Sequence, residues 1–219
     1  MNPMAAAADE DVLYPDSDGQ PMADNTLQYQ WIVTIQGNLE ALFAANPNVF
    51  VAGDNLIYPD RDDRKVRQAP DVYVAFGRPK GYRGSYRVWE EGGTFPQVVF
   101  EVLSPGNRAG EMSRKRAFYR THGAEEYYLI DPDGNTVEGW LRDGNTFREV
   151  PDMNGFVSPR LGVRFDTTGE RLTLHHPDGR PFQSFLQTVD RAETAEREND
   201  RLRNLLRAAG IDPDKPTPP

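Results

Sequence analysis

The chain has 219 residues, 37% of them hydrophobic and 11% aromatic, enough to bury the core of one ordinary domain with appendages. A net charge of −9 excludes a sequence-independent nucleic-acid coat, and the absence of cysteine excludes a disulfide framework and a thiolate zinc site. No apolar run approaches the roughly 20 residues of a membrane span, and the N-terminus lacks the basic-then-apolar pattern of a secretory signal, so a cytoplasmic location is expected.

Residues 1–24 are Ala-rich, then polar with Pro and Gly, and read as a disordered segment or a strap on the domain. A helix is expected from Asn25, a plausible N-cap, to Ala45, with Trp31, Ile35, Leu39 and Leu42 on one apolar face and Pro47 as its stop. Val49–Tyr58 reads as a strand, followed by the charged turn PDRDDRK and a second strand over Ala69–Phe76, together a hairpin. Arg78–Glu91 is a loop that carries Arg78, Lys80, Arg83 and Arg87 before any acid appears. Gln97–Leu103 is a strand by its β-branched and aromatic content. Ser104-Pro105-Gly106 turns the chain into a helix from about Ala109 to Thr121, with Gly123 placed to end it in the left-handed conformation. Glu126–Ile130 is the next strand, and residues 135–141, 145–150, 155–165 and 171–176 read as an antiparallel meander. Phe185–Ala209 is a helix whose Phe185, Thr188, Ala192, Ala195, Asn199, Leu202, Leu206 and Ala209 follow an a/d seam. Its seam side chains are mostly small or polar, so the helix either packs back on its own domain or makes a dimer contact.

One residue is expensive. Glu101 stands inside an apolar strand, and a buried acid without a partner costs several kcal/mol, so either Glu101 finds a cation or the strand is an edge. Strand alternation puts Asp71, Tyr73 and Ala75 on one face of their strand and Val99, Glu101 and Leu103 on one face of theirs. If the strands are neighbours with their acids on the same face, Asp71 and Glu101 can converge. Two carboxylates in one cleft repel unless a cation neutralises them, and a hard divalent ion such as Mg2+ takes such oxygen ligands. The neighbours His175 and His176 point to opposite faces of a strand and make a poor metal pair. Arg108, Arg114, Lys115, Arg116 and Arg120 follow Glu101 with only Glu111 against them. With the Arg78–Arg87 loop, they concentrate positive charge around the two acids, a pattern that suits a polyanionic substrate or simply a solvated basic helix face.

The stretches APDVYVAFGRPKGYRGSY, PQVVFEVLSPGNR and EMSRKRAFYRTHGAEEYYLIDP together resemble the Uma-type putative restriction endonuclease family, of the PD-(D/E)xK nuclease superfamily and abundant in cyanobacteria. The resemblance covers about Asp16 to Phe165. It implies a restriction-endonuclease-like α/β (α+β) core, a central mixed sheet flanked by helices, with extra antiparallel strands and a C-terminal helix. It also implies a Mg2+-dependent endonuclease acting on DNA, with Mn2+ as a possible substitute. By this resemblance Asp71 and Glu101 are the metal-binding catalytic acids. The superfamily lysine should stand two residues after the glutamate, where this chain has Leu103. In this family it comes from the following helix in a K-x-x-[FY]-Y pattern, which Lys115, Phe118 and Tyr119 match. The resemblance thus makes Lys115 the third catalytic residue, while Tyr119 reads as core or as a support behind the catalytic groups, and Ser104 as a turn residue. The expected division is 1–24 strap, 25–180 nuclease domain and 181–219 coiled-coil-like helix and frayed tail, with a homodimer as the expected assembly. The alternative is a nuclease-fold protein without cleavage, serving as a nucleic-acid-binding or dimeric interaction module.

Overall fold

The computed structural model describes residues 14–17, 19, 22–107 and 109–215. Most of the expected strap, and Arg108 of the expected basic run, lie outside the described residues. The chain divides into two units between Phe182 and Gln183.

Helix α1, Thr26–Leu42, starts where the Asn25 side chain accepts the Gln28 N–H at 2.8 Å, satisfying one of the amides that a helix start leaves open. Its buried face is Gln28, Ile32, Ile35 and Leu39. The expected face is therefore rotated: Ile32 takes the centre, while Trp31 and Leu42 are only partly buried at its edges. The expected strand Val49–Tyr58 is two strands, β1 (Val49–Ala52) and β2 (Ile57–Tyr58), because Gly53-Asp54 turns the chain with Asp54 at φ 61°. β1 pairs antiparallel with β3 (Val72–Phe76), as the hairpin reading requires. β2 instead pairs parallel with β4 (Tyr86–Arg87), a short strand inside the expected loop.

β5 (Val98–Val102) lies antiparallel to β3 and parallel to β6 (Glu126–Asp131). Parallel neighbours need a crossover connection, and helix α2, Ala109–His122, supplies it. Gly123, at φ 119°, ends that helix. β7 (Thr136–Asp143) and β8 (Thr146–Glu149) complete a mixed six-stranded sheet in the order β1-β3-β5-β6-β7-β8. The expected meander stops there. β9 (Arg164–Asp166) and β10 (Thr173–His175) leave the sheet and pair with each other.

Alternation sorts the central strands between two apolar layers. Val72, Val74, Val98, Phe100 and Val102 join Ile32, Ile35 and Leu39 of α1. Tyr73, Ala75, Val99, Tyr127 and Leu129 join Met112 and Tyr119 of α2. Each fully buried Val, Leu, Ile or Phe side chain is worth about 1.5–3 kcal/mol, and all of β5 is buried. Glu101 sits in that strand, on the α2 side.

The second unit holds helix α3, Phe185–Ala208, opened by a capping box between Ser184 and Gln187. It is a single helix, with no coiled coil among the described residues. None of its residues is buried, and the seam positions Phe185, Leu202 and Leu206 are exposed.

Gly53 stitches β1 to the start of β3. A Cβ there would lie 2.1 Å from the Asp71 carbonyl oxygen. Gly53→Ala is therefore expected to displace the Asp71 backbone and destabilise the fold by about 1–3 kcal/mol, the usual range for overpacking. Urea unfolding measures this, and an unchanged midpoint would show that the approach is not tight.

Candidate active site

The β3–β5 register pairs Val72 with Phe100. The next antiparallel pair outward is Asp71 with Glu101, so the two acids lie side by side on the face that α2 covers. The Val102 N–H donates to Asp71 Oδ2 at 2.6 Å and ties the first acid to the end of β5. Glu101 is 1% exposed and has two side-chain partners. Lys115 Nζ donates to its Oε2 at 2.8 Å, and the Tyr119 hydroxyl donates to its Oε1 at 2.6 Å. Lys115 and Tyr119 are four residues apart on α2 and so share a helix face. Met112, one turn earlier, anchors that face in the apolar layer.

The electrostatics of the cluster are unequal. Removal from bulk water and the adjacent Glu101 push the Asp71 carboxyl well above its ordinary range, while Lys115 and the Val102 amide pull it down less. Burial works to lower the Lys115 ammonium, but Glu101 and Asp71 outweigh it and hold this lysine above its usual value. Lys115 is therefore a fixed cation at neutral pH and no proton acceptor. Burial and the Glu101 charge keep the Tyr119 phenol protonated far beyond neutral pH. One cation thus faces two acids, and Asp71 is the acid left short of compensation.

That deficit fits a divalent ion. Asp71 and Lys115 open on a hollow of about 280 Å3, also lined by Asp24, Asp54 and Glu111. Among the described residues no group of three or more His, Cys, Asp or Glu side chains could hold a metal. Asp71 and Glu101 are the acids that could hold such an ion, with water completing its shell, as Mg2+ commonly allows. The histidines are used elsewhere: a His175 ring nitrogen lies 3.0 Å from the Gly179 carbonyl, and a His176 ring nitrogen lies 3.1 Å from the Asn38 side chain.

The neighbourhood contains a residue that the sequence reading passed over. Gln28 of α1 donates to the Val102 carbonyl at 2.8 Å and accepts the Asp24 N–H at 2.8 Å. The Val102 backbone is thus held at its N–H by Asp71 and at its carbonyl by Gln28. A polar residue in helical phase with Ile32, Ile35 and Leu39 was the available signal. Tyr119, expected in the core or as a support behind the catalytic groups, is buried and is a direct partner of Glu101. Ser104 does serve the turn: its N–H donates to Asn107 Oδ1 at 2.7 Å, and its hydroxyl donates to Asp24. Leu103 packs against the α2-side apolar layer.

The expected basic ring around the acids is only partly present. Arg83 pairs with Glu91, Arg87 with Glu90, and Lys80 donates to the Phe43 carbonyl, so these loop cations are spent on structure. The cations of α2 remain, with Arg114 and Arg120 exposed.

A family model described as Uma2, putative restriction endonuclease, matches residues 9–174. The chain belongs to the Uma2 family. The matched region spans the whole six-stranded sheet, α1 and α2, and so contains every residue of the Asp71–Glu101–Lys115 cluster. Membership and topology together bear out the restriction-endonuclease-like α/β core with its central mixed sheet and C-terminal helix. A crystal structure of a putative nuclease belonging to DUF820 from Anabaena variabilis ATCC 29413 is similar at 15% identity and a TM-score of 0.45, over 69% of this chain and 87% of that one. None of the curated proteins matches the chain. No helix among the described residues is long and apolar enough to cross a membrane.

Because its pKa is raised in the fold, Asp71 holds its proton more tightly there than in the unfolded chain. Its stabilising contribution is present below the ordinary carboxylate range and is lost as pH rises through the folded pKa. In EDTA, Asp71→Asn is expected to melt several degrees above the wild type at neutral and alkaline pH, with the gap closing as pH falls toward about 4. Melting curves by circular dichroism check this, and a gap independent of pH would mean that Asp71 is not the uncompensated acid.

Proposed function

We propose that this protein is a metal-dependent endonuclease that hydrolyses phosphodiester bonds in DNA. The observation that carries the reading is the cluster itself: Asp71 beside a buried Glu101, which is held by Lys115 at 2.8 Å and Tyr119 at 2.6 Å. Mg2+, or Mn2+ in its place, bound by Asp71 and Glu101 would polarise the scissile phosphate and lower the pKa of a bound water.

The chain's own groups divide the remaining work. Lys115, kept protonated, donates to a phosphate oxygen and offsets the charge that grows there in the transition state. Its ion pair with Glu101 sets the ammonium in place beforehand. Tyr119 holds the second oxygen of Glu101 and so fixes the plane of that carboxylate. Asp71 and Gln28 hold the Val102 backbone at its N–H and its carbonyl and fix the position of the strand that carries Glu101. We read residues 25–180 as the nuclease domain on this basis. The alternative, a binding module without cleavage, draws on the same Lys115–Glu101 pair, because a closed ion pair is also a way to neutralise a buried acid.

Nicking of supercoiled plasmid in Mg2+ separates the two. Asp71→Asn, Glu101→Gln and Lys115→Ala are each expected to slow nicking by at least about a hundredfold, the scale of losing one transition-state contact. Nicking unaffected by all three would refute the site.

The homodimer belongs to the same proposal. On α3, Leu202 and Leu206 stay exposed at seam positions, and Asn199 occupies an a position that suits two strands in register. Light scattering is expected to give a dimer mass for the wild type and a monomer mass for Leu202→Glu/Leu206→Glu. A monomeric wild type would refute the dimer.

A further inference from the structure

The flank of α2 that lies over Trp140 of β7 carries a second arrangement that the cluster does not use. Arg116 follows Lys115 directly, and their side chains leave the helix about 100° apart. The Arg116 guanidinium lies over the Trp140 ring at 4.2 Å from its centroid. Trp140 packs on Tyr127 at 5.5 Å, and Tyr127 stacks on Phe147 at 6.4 Å and 20°. Arg116, Trp140 and Phe147, with Ser113, Ala117 and Arg120, line a hollow of about 200 Å3. Among the described residues, neither Arg116 nor Arg120 forms an ion pair. The acids on the same strand face, Glu138 and Glu149, pair with neither. Arg142 braces the floor: its Nε donates to the Ala124 carbonyl at 2.7 Å, and it lies over Phe147 at 5.6 Å.

We propose that this hollow is a nucleotide subsite that takes an unpaired base of the substrate strand. A guanidinium already held over an indole has its position set for stacking against a base, and little side-chain freedom remains to be lost on binding. Arg120, one turn along the same helix face, meets the adjoining phosphate. Ala117 between them is too small to fill the space. A base paired within a duplex cannot enter, so the subsite selects a single-stranded segment running from the Lys115 side of α2 to the Arg116 side. The proposal rests on the reading of the neighbouring cluster as a nuclease site, which makes a nucleic-acid strand the expected occupant.

Fluorescence anisotropy of the full-length chain in EDTA, with a labelled single-stranded oligonucleotide and the blunt duplex of the same sequence, tests it. Arg116→Lys keeps the charge and loses the plane. It is expected to weaken single-strand binding about tenfold and duplex binding by less than about twofold. Arg120→Ala is expected to reduce the salt slope of single-strand binding by about 0.7. No single-strand binding by the wild type, or an Arg116→Lys effect equal on both probes, would overturn the subsite. Cleavage of the same probes in Mg2+ is read separately. Arg116-dependent single-strand binding without cleavage would remove the nuclease reading and keep the subsite. Asp71-dependent cleavage with binding indifferent to Arg116 would do the reverse.

Discussion

A carboxylate in a strand buried on both faces needs a cation, and the pairing of Glu101 with Lys115 is the contact on which the centre of this molecule depends. Desolvating the acid costs several kcal/mol, and removing one partner of such a pair typically costs about 3–5 kcal/mol because the other charge is stranded. The cation cannot come from β5 itself, where Leu103 stands on the same face. It has to be delivered across the sheet. The parallel pairing of β5 and β6 demands a crossover, the crossover is α2, and α2 lies on the face that Glu101 points to. The topology and the ion pair therefore support each other.

The same geometry leaves the cluster unbalanced. Lys115 and Tyr119 satisfy Glu101, but Asp71 gains only the Val102 amide and a share of the Lys115 field. A fold selected for stability alone would place a neutral side chain at this position. An acid held at the mouth of a hollow, beside another acid, is the kind of local cost that functional sites carry. Gln28 of α1 holds the Val102 carbonyl, one residue beyond the Glu101 carboxylate that Lys115 and Tyr119 of α2 hold, so the two helices grip adjacent residues of one strand.

Charge is distributed by role across the chain. The net charge of −9 says little about the surface near α2. The loop arginines are consumed by Glu90 and Glu91 or lie over aromatic rings, Arg83 being 4.0 Å from the Phe50 centroid. On α2, Arg116 also lies over a ring, that of Trp140, but among the described residues neither it nor Arg120 forms an ion pair. One helix thus presents a buried ammonium to the sheet and guanidinium groups without carboxylate partners to its flank. This places anion-binding capacity next to the acids despite the acidity of the whole.

Local pattern carried much of this in the sequence. Alternation sorted each strand's residues, so that Asp71 and Glu101 could converge if their strands were neighbours with the acids on one face; Asn25 and Gly123 marked helix ends by their cap chemistry, and the order of helices and strands could be read from periodicity. Those signals act within a few residues, which is why they survive without a structure. The strand break at Gly53-Asp54, the rotation of α1 toward Ile32 and the exit of β9 and β10 from the sheet depend on what packs against each segment. The roles of Gln28 and Tyr119 are of the same kind: each looks like an ordinary helix residue until its partner, the Val102 carbonyl or Glu101, arrives from a distant strand. The sequence by itself determined that an acid stood within an apolar strand and that a lysine with a matching pattern followed it. Only the tertiary structure decided that the lysine reaches the acid, because that distance is set by strand register and helix placement together, and neither is a property of one stretch of chain.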